Sequence, residues 1–299
     1  MERAERRWCG LALVALAVGV GPVAADDLRF VPDPGIRVEL ASNPEAGVDL
    51  TGLVYLYYEE QAAPGAGERA RVALSVDGLD FQPGSVPTDR ANDPRRVRMP
   101  DGSWRLYQLP REATLTSSHS VDGLQFTAEP GTRYAAAPED NGELGIYELF
   151  ADSAGGVVML YLGDLHGLNN TRRAYSTDGG LSFRFERGDV LGDATLGGGG
   201  RSFVDITTNP LPDGRRRLFA MQGGQGIYSF VTADEGVTFT LEPGARVSKS
   251  DWTEFQVVGL FDPTVVLLPD GRYRMYVCGQ IDEPGSRSRS VILSATTTR

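Results

Sequence analysis

One recurring phrase constrains the fold of this chain more than any other feature. It is an aromatic residue followed a few positions later by Gly, usually with Pro before the Gly. The copies are Phe30-Val-Pro-Asp-Pro-Gly35, Phe81-Gln-Pro-Gly84, Phe126-Thr-Ala-Glu-Pro-Gly131, Phe183-Arg-Phe-Glu-Arg-Gly188 and Phe239-Thr-Leu-Glu-Pro-Gly244. The five phenylalanines stand 51, 45, 57 and 56 residues apart. Self-similarity at such a period marks a repeat architecture, in which each unit buries its apolar face only against its neighbours.

A second phrase precedes four of the five copies: Ser75-Val-Asp77-Gly78, Ser120-Val-Asp122-Gly123, Ser176-Thr-Asp178-Gly179-Gly180 and Thr232-Ala-Asp234-Glu-Gly236. The copy at Phe30 lacks it, and the strand-like Val291-Ile-Leu-Ser294 that should come before it stands at the C-terminus. That displacement is the signature of a closed ring whose last unit is completed by the N-terminal strand. A third phrase sets Asp-Gly between two apolar runs, at Asp101-Gly102 before Tyr107, Asp213-Gly214 before Phe219 and Asp270-Gly271 before Tyr276. Asp-Gly in that setting is a hairpin signal. Weaker copies are Thr51-Gly52 before Tyr57 and Gly155-Gly156 before Tyr161. Each unit therefore reads as four antiparallel strands. Five such units predict an all-β, five-bladed β-propeller closed by pairing of its N- and C-terminal strands.

Composition agrees: 37 Gly and 18 Pro suit many turns, and 41% hydrophobic content is enough to build a core. Residues 1–25 read as a secretory signal, with Arg3, Arg6 and Arg7 ahead of the apolar run Cys9 to Val20 and small residues at Val23-Ala24-Ala25. The mature chain, residues 26–299, is expected to be a single propeller domain, secreted or periplasmic, with no membrane association after signal removal, and monomeric. Removal of three Arg and two Glu takes the formal charge from −11 to −12. With an acidic balance and no basic stripe, no nucleic-acid partner is expected. Only Cys278 remains, so no intrachain disulfide is possible, and its apolar neighbours predict a buried, inert thiol.

Most of the conspicuous acids are turn residues. In Ser-x-Asp-Gly the carboxylate accepts bonds from nearby backbone N–H groups while Gly supplies φ > 0. Asp77, Asp122, Asp178 and Asp234 are assigned to folding on this ground, as are Asp101, Asp213 and Asp270. Chemistry is sought instead where the innermost strands begin, because those residues converge on the central channel. Fourteen residues before each hairpin aromatic stand Asn43, Asp93, Asp205 and Asp262, and in the third unit Tyr147, next to Glu148. The ring Asn43, Asp93, Glu148, Asp205, Asp262 offers carboxylates that raise one another's proton affinity. Glycoside hydrolysis requires two of them, one protonated and one ionised. The alternative is that Asp-Pro merely starts each strand.

These units resemble those of five-bladed glycoside hydrolases of the arabinanase, levansucrase and invertase type. The matching stretches are Asn92-Asp93-Pro94, Phe261-Asp262-Pro263 through Arg274-Met-Tyr276, and Ser120-Val-Asp122-Gly123-Leu-Gln-Phe126. Asp178 and Asp234 also lie in turns similar to the Asp-boxes of sialidases, Ser/Thr-x-Asp-x-Gly-x-x-Phe. The resemblance covers nearly all of residues 27–299. It implies an Asp at the start of the first blade, an Asp in the third and a Glu in the fourth, where this chain has Asn43, the Tyr147–Glu148 pair and Asp205. A shifted set, Asp262, Asp93 and Glu148, keeps the spacing around the ring, with Asp93 and Asp262 as base and electrostatic partner, Glu148 as acid and Asp205 in reserve.

Trp252, in the connector before Asp262, is a candidate sugar-stacking platform. Arg201, after the glycine run 197–200, joins Asn43 as a candidate substrate-binding residue. Arg274 reads as structural, Trp104 as packing between blades, and Asp164 with His166 as an exposed loop pair. No metal-ligand spacing surrounds either histidine, and neither metal nor cofactor is expected. The sequence thus points to a carbohydrate-active protein with a glycan or oligosaccharide partner, most simply a glycoside hydrolase. A non-catalytic, lectin-like propeller and a sialidase-like hydrolase are the alternatives.

Overall fold

A computed structural model describes residues 28–49, 51–61, 69–83, 93–109, 113–123, 125–191, 202–282, 285 and 288–298. The predicted signal segment lies outside them, as does Arg201. Five antiparallel sheets follow one another along the chain. Blade 1 comprises Ala41–Val48, Val54–Glu60, Arg69–Ser75 and Gln82–Pro83. Blade 2 comprises Arg95–Arg98, Trp104–Gln108 and Thr114–Ser120, with Thr127–Ala128 and Tyr134–Ala135 both on its outer side. Blade 3 runs through Leu144–Ala151, Val157–Gly163, Asn170–Ser176 and Arg184–Arg187. Blade 4 comprises Phe203–Pro210, Arg216–Gln222, Gly226–Thr232, Thr240–Leu241 and Val247–Ser248. Blade 5 comprises Val257–Leu267, Tyr273–Ile281, Arg289–Thr297 and, as its outermost strand, Phe30–Pro32 from the N-terminal side.

That last pairing, Phe30 opposite Thr297 and Pro32 opposite Ala295, closes the ring as the displaced repeat predicts. Burial follows position in the blade. The second strand of blade 3, Val157–Gly163, is buried along its whole length because both of its faces meet neighbouring blades. It therefore reads as a continuous apolar run and not as an alternating one.

The repeated phrases brace each blade internally and tie it to the next. Before the Pro-Gly stands an acid in three copies, Asp33, Glu129 and Glu242, and each pairs with a buried arginine two residues ahead of a hairpin aromatic. The pairs are Arg274–Asp33 at 3.4 Å, Arg105–Glu129 at 2.7 Å and Arg217–Glu242 at 2.8 Å. The hydroxyls of Ser294, Ser117 and Ser229 donate to the same carboxylates. Two residues after the Gly, Arg37, Arg133 and Arg246 donate to the carbonyls of Leu79, Leu181 and Leu28 at 2.9–3.0 Å, each in or just before the adjoining blade's outer part. The Tyr107 and Tyr276 hydroxyls donate to the carbonyls of Gly180 and Gly78, so a Ser-x-Asp turn of one blade docks on the aromatic of the previous one. Arg274 is thus structural, as expected. The turn acids behave as assigned: Asp178 accepts the Leu181 and Ser182 N–H groups, and Asp101, Asp213 and Asp270 each accept an N–H two residues on.

Candidate functional site

The inner strands of blades 2, 3, 4, 5 and 1 adjoin in that order around the axis. On or just before these strands, Asn43, Asp93, Asp205 and Asp262 share one unusual backbone state, with φ of 49°, 45°, 52° and 48°. The register slips at three of these places, between Ser42 and Glu45, Val204 and Ile206, and Phe261 and Thr264. Such a bulge re-aims the side chain it carries. Among non-glycine residues, Asn and Asp tolerate left-handed φ best, which explains why only they occupy these four positions.

Blade 3 departs from the predicted ring. In the other blades the ring residue stands two before the partner of the hairpin aromatic: Glu45 opposite Tyr57, Arg95 opposite Tyr107, Thr207 opposite Phe219 and Thr264 opposite Tyr276. In blade 3 it is Tyr147 that lies opposite Tyr161, because the hairpin is two residues longer. The equivalent position is therefore Gly145, where an added Cβ would stand 2.8 Å from the Leu165 side chain. Glu148 falls three residues further along its strand, level with Thr208, whose N–H and hydroxyl donate to its Oε1 at 3.2 and 2.9 Å.

At the centre lies a residue that counting by offset passes over, Arg95. Its side chain is buried, with Nη1 3.5 Å from Glu45 Oε2, Nε 3.8 Å from Glu148 Oε2, and a 3.1 Å bond from Nε to the Tyr147 carbonyl. The Tyr147 hydroxyl in turn donates to the Asp93 carbonyl at 2.6 Å. Burial works against the Arg95 charge, but Glu45, Asp93 and Glu148 outweigh it and hold the guanidinium firmly protonated. Glu45 is the second residue not anticipated. Both follow a ring residue and a proline (Asn43-Pro-Glu45, Asp93-Pro-Arg95), and two-residue spacing along an inner strand was the signal that could have found them.

The carboxylates respond to this crowding. Asp205 is buried, and burial together with Asp93 pushes it up to about 7, against a hydrogen bond from the Asp262 N–H and the pull of Arg95. Burial, Asp205 and Asp93 drive Asp262 well above the usual carboxylate range. Glu148 is raised to about 7 by burial and by Glu45, and Glu45 is raised by burial against Arg95. A cluster with protons to give and take near neutrality, beside a fixed cation, can act as a general acid and base.

Two expectations are corrected. Trp252 is no exposed platform: it is 5% exposed and packs in the core shared by blades 4 and 5, with Phe219, Ile227 and Val257. A stacking face must be open to a ligand, and this one is covered by protein. Asp164 does not pair with His166. It accepts from Asn141 Nδ2 and the Leu168 N–H, while exposed His166 meets Glu143. Cys278 is buried as predicted, and burial lifts its thiol to about 12. Among the described residues, no group of three or more His, Cys, Asp or Glu has an arrangement that could hold a metal ion.

No protein-family model matches this chain, and no curated protein matches it. Solved structures do. An α-L-arabinofuranosidase from Podospora anserina in complex with cellotriose superposes with a TM-score of 0.63 at 13% identity, over 91% of this chain and 95% of that one. An endo-1,4-β-xylanase from Bacteroides thetaiotaomicron gives 0.63 at 14%, over 86% and 92%. An endo-arabinase from the same organism gives 0.57 at 15%, over 87% and 96%. At such identities the likeness is one of fold: the chain shares the five-bladed propeller of these glycoside hydrolases.

Proposed function

We propose that this protein is a secreted or periplasmic, monomeric glycoside hydrolase acting through carboxylates at the mouth of its propeller channel. The observation that carries the reading is the cluster Asp93, Asp205 and Asp262, which share a left-handed backbone state and in which burial and neighbouring carboxylates raise the proton affinity of Asp205 and Asp262. Asp205, poised near neutrality, is the acid. Asp93 is the base, Asp262 is the electrostatic partner, and Arg95 keeps the set from being neutralised altogether. Glu148 is relieved of the acid's role because Thr208 and Arg95 already engage it three residues below the ring. Asn43 offers a neutral polar group at the remaining ring position, and Arg201 is retained as a substrate contact. The neighbours named for arabinofuranosidase, arabinase and xylanase activity make pentose polymers the first substrates to try.

One observation favours a lectin-like reading. Left-handed φ by itself selects Asn or Asp, and the Asp205 carboxylate takes the Asp262 N–H, as a purely structural cap would. The test is a screen of arabinan, xylan, fructan, mannan and sialosides with wild-type protein and the Asp93→Asn, Asp205→Asn and Asp262→Asn variants. Turnover abolished by these substitutions is the expected result. Turnover that survives all three overturns the site, and binding without turnover supports the lectin-like reading.

A further inference from the structure

The other end of the channel has a different character. There it widens into a cavity of about 560 Å³, lined by the last residue of every inner strand: Val48, Arg98, Ala151, Pro210 and Leu267. Three arginines stand in its wall, Arg96, Arg98 and Arg216. Arg95, Arg105, Arg172, Arg217 and Arg274 each have a carboxylate within ion-pair distance. Among the described residues these three have none. Glu45 and Asp49 act on Arg96, and Glu148 and Glu235 on Arg216, only at longer range. In a chain of formal charge −11, such a cluster is not a matter of composition.

The arginines are held for recognition in their own plane. Arg96 is sandwiched between the rings of Tyr55 and Trp104, at 4.3 and 4.5 Å, and Arg216 lies 3.9 Å over Phe150. Arg96 Nη1 donates to the Gly123 carbonyl at 3.0 Å and Arg216 Nη1 to the Thr208 hydroxyl at 3.2 Å; with rings over the guanidinium faces, the remaining N–H edges can bond an anion in plane, the geometry that suits a carboxylate.

The cavity is also polar along its length. Its inner end carries Glu45 and Glu148, its outer end the arginines. A ligand with charge at both ends would be repelled at the inner one, whereas a monoanion with a neutral hydroxylated body fits both, and the volume suits a sugar-sized molecule. We propose that the hairpin end of the channel is a binding site for a carboxylate-bearing sugar, with the carboxylate on the free Arg96, Arg98 and Arg216 edges and the neutral hydroxylated body toward Glu45 and Glu148. This site is separate from the mouth carboxylates and does not rest on the hydrolase reading.

The test is calorimetric titration of the full chain with D-galacturonate and D-glucuronate, against D-galactose, D-glucose and inorganic sulfate. Saturable uronate binding is expected, with neutral sugars and sulfate each at least about tenfold weaker and with Arg98→Gln and Arg216→Gln each weakening uronate about tenfold. Binding should fall with added salt and be unchanged in Asp205→Asn, which lies at the opposite end. Arg98 is exposed, so its variant keeps the fold and decides the matter if Arg216→Gln does not. Neutral sugars binding as well as uronates would overturn the proposal. So would uronate affinity indifferent to Arg98→Gln, or sulfate binding without a preference for uronate, which would mark an adventitious anion site.

Discussion

Asp205→Asn should stabilise the protein, and the gain should grow with pH. The folded chain holds the Asp205 carboxyl at about 7, against an ordinary value of 3.8. A raised acid favours the folded state below about pH 4, and that advantage is lost as pH climbs through the folded value near 7. At 1.36 kcal/mol per unit, the penalty for ionising this carboxyl in the folded chain is on the order of 4 kcal/mol above neutrality, of which about 2–3 kcal/mol accrues between pH 5 and pH 8. Asn carries no such penalty. It tolerates the φ of 52° and keeps an oxygen for the Asp262 N–H. Because the Asp205 charge raises Asp262, the substitution also lowers the proton affinity of Asp262. Thermal melts at the two pH values read the difference. With roughly 2–4 °C per kcal/mol for a domain of this size, the variant's advantage should widen by about 5–10 °C from pH 5 to pH 8. An advantage that is the same at both pH values, or a variant less stable than wild type at pH 8, would refute the electrostatic account of the site.

Arg95→Met leaves buried carboxylates without their cation. It should cost about 3–5 kcal/mol in urea denaturation at pH 8 and less at pH 5, where the acids protonate; a loss under about 1 kcal/mol at pH 8 would show that Arg95 does not hold the cluster. Asp178→Ala removes the acceptor of two backbone N–H groups and two serine hydroxyls. As the turn is exposed, a loss of about 1 kcal/mol is expected, present at neutral pH and vanishing as pH falls from about 4 to about 2. Cys278, 4% exposed and raised to about 12, should be inert to a thiol-specific disulfide reagent at pH 8 and react only as the chain unfolds; immediate stoichiometric labelling would contradict its burial.

The fold was legible because its joints repeat. The Pro-Gly and Ser-x-Asp-Gly phrases are the contacts by which one blade grips the next, so their spacing counts blades, and the copy missing its front half locates the closure. Four of the five ring positions were legible for a related reason: a left-handed bulge accepts few residue types, and Asn43, Asp93, Asp205 and Asp262 all satisfy it. The fifth was not, since two extra residues in one hairpin shift the register by an amount that a fixed offset does not detect, and Glu148 was taken for a ring residue. Trp252 was misjudged because a connector can dive into the core, and loop residues carry no periodicity to reveal it. The arginine-walled cavity was invisible because Arg96 and Arg98 come from one blade, Arg216 from another, and only closure of the ring brings them together.

The repeat phrase already set Asp178, in its Ser-x-Asp-Gly turn, apart from the ring position Asp205; what it could not give was the proton affinity of either. At Asp178 burial opposes ionisation, but the Ser176 and Ser182 hydroxyls and two N–H groups outweigh it and bring the carboxyl down to about 2. At Asp205 burial and a neighbouring carboxylate win, and the carboxyl rises to about 7. The first is fixed as an anion and serves as a structural acceptor. The second can exchange a proton near neutrality, which a catalyst needs and a turn does not. The proton affinities therefore rest on different sources: the turn's own hydroxyl and N–H donors hold Asp178 down, whereas burial and a carboxylate from another blade, both set by closure of the ring, raise Asp205.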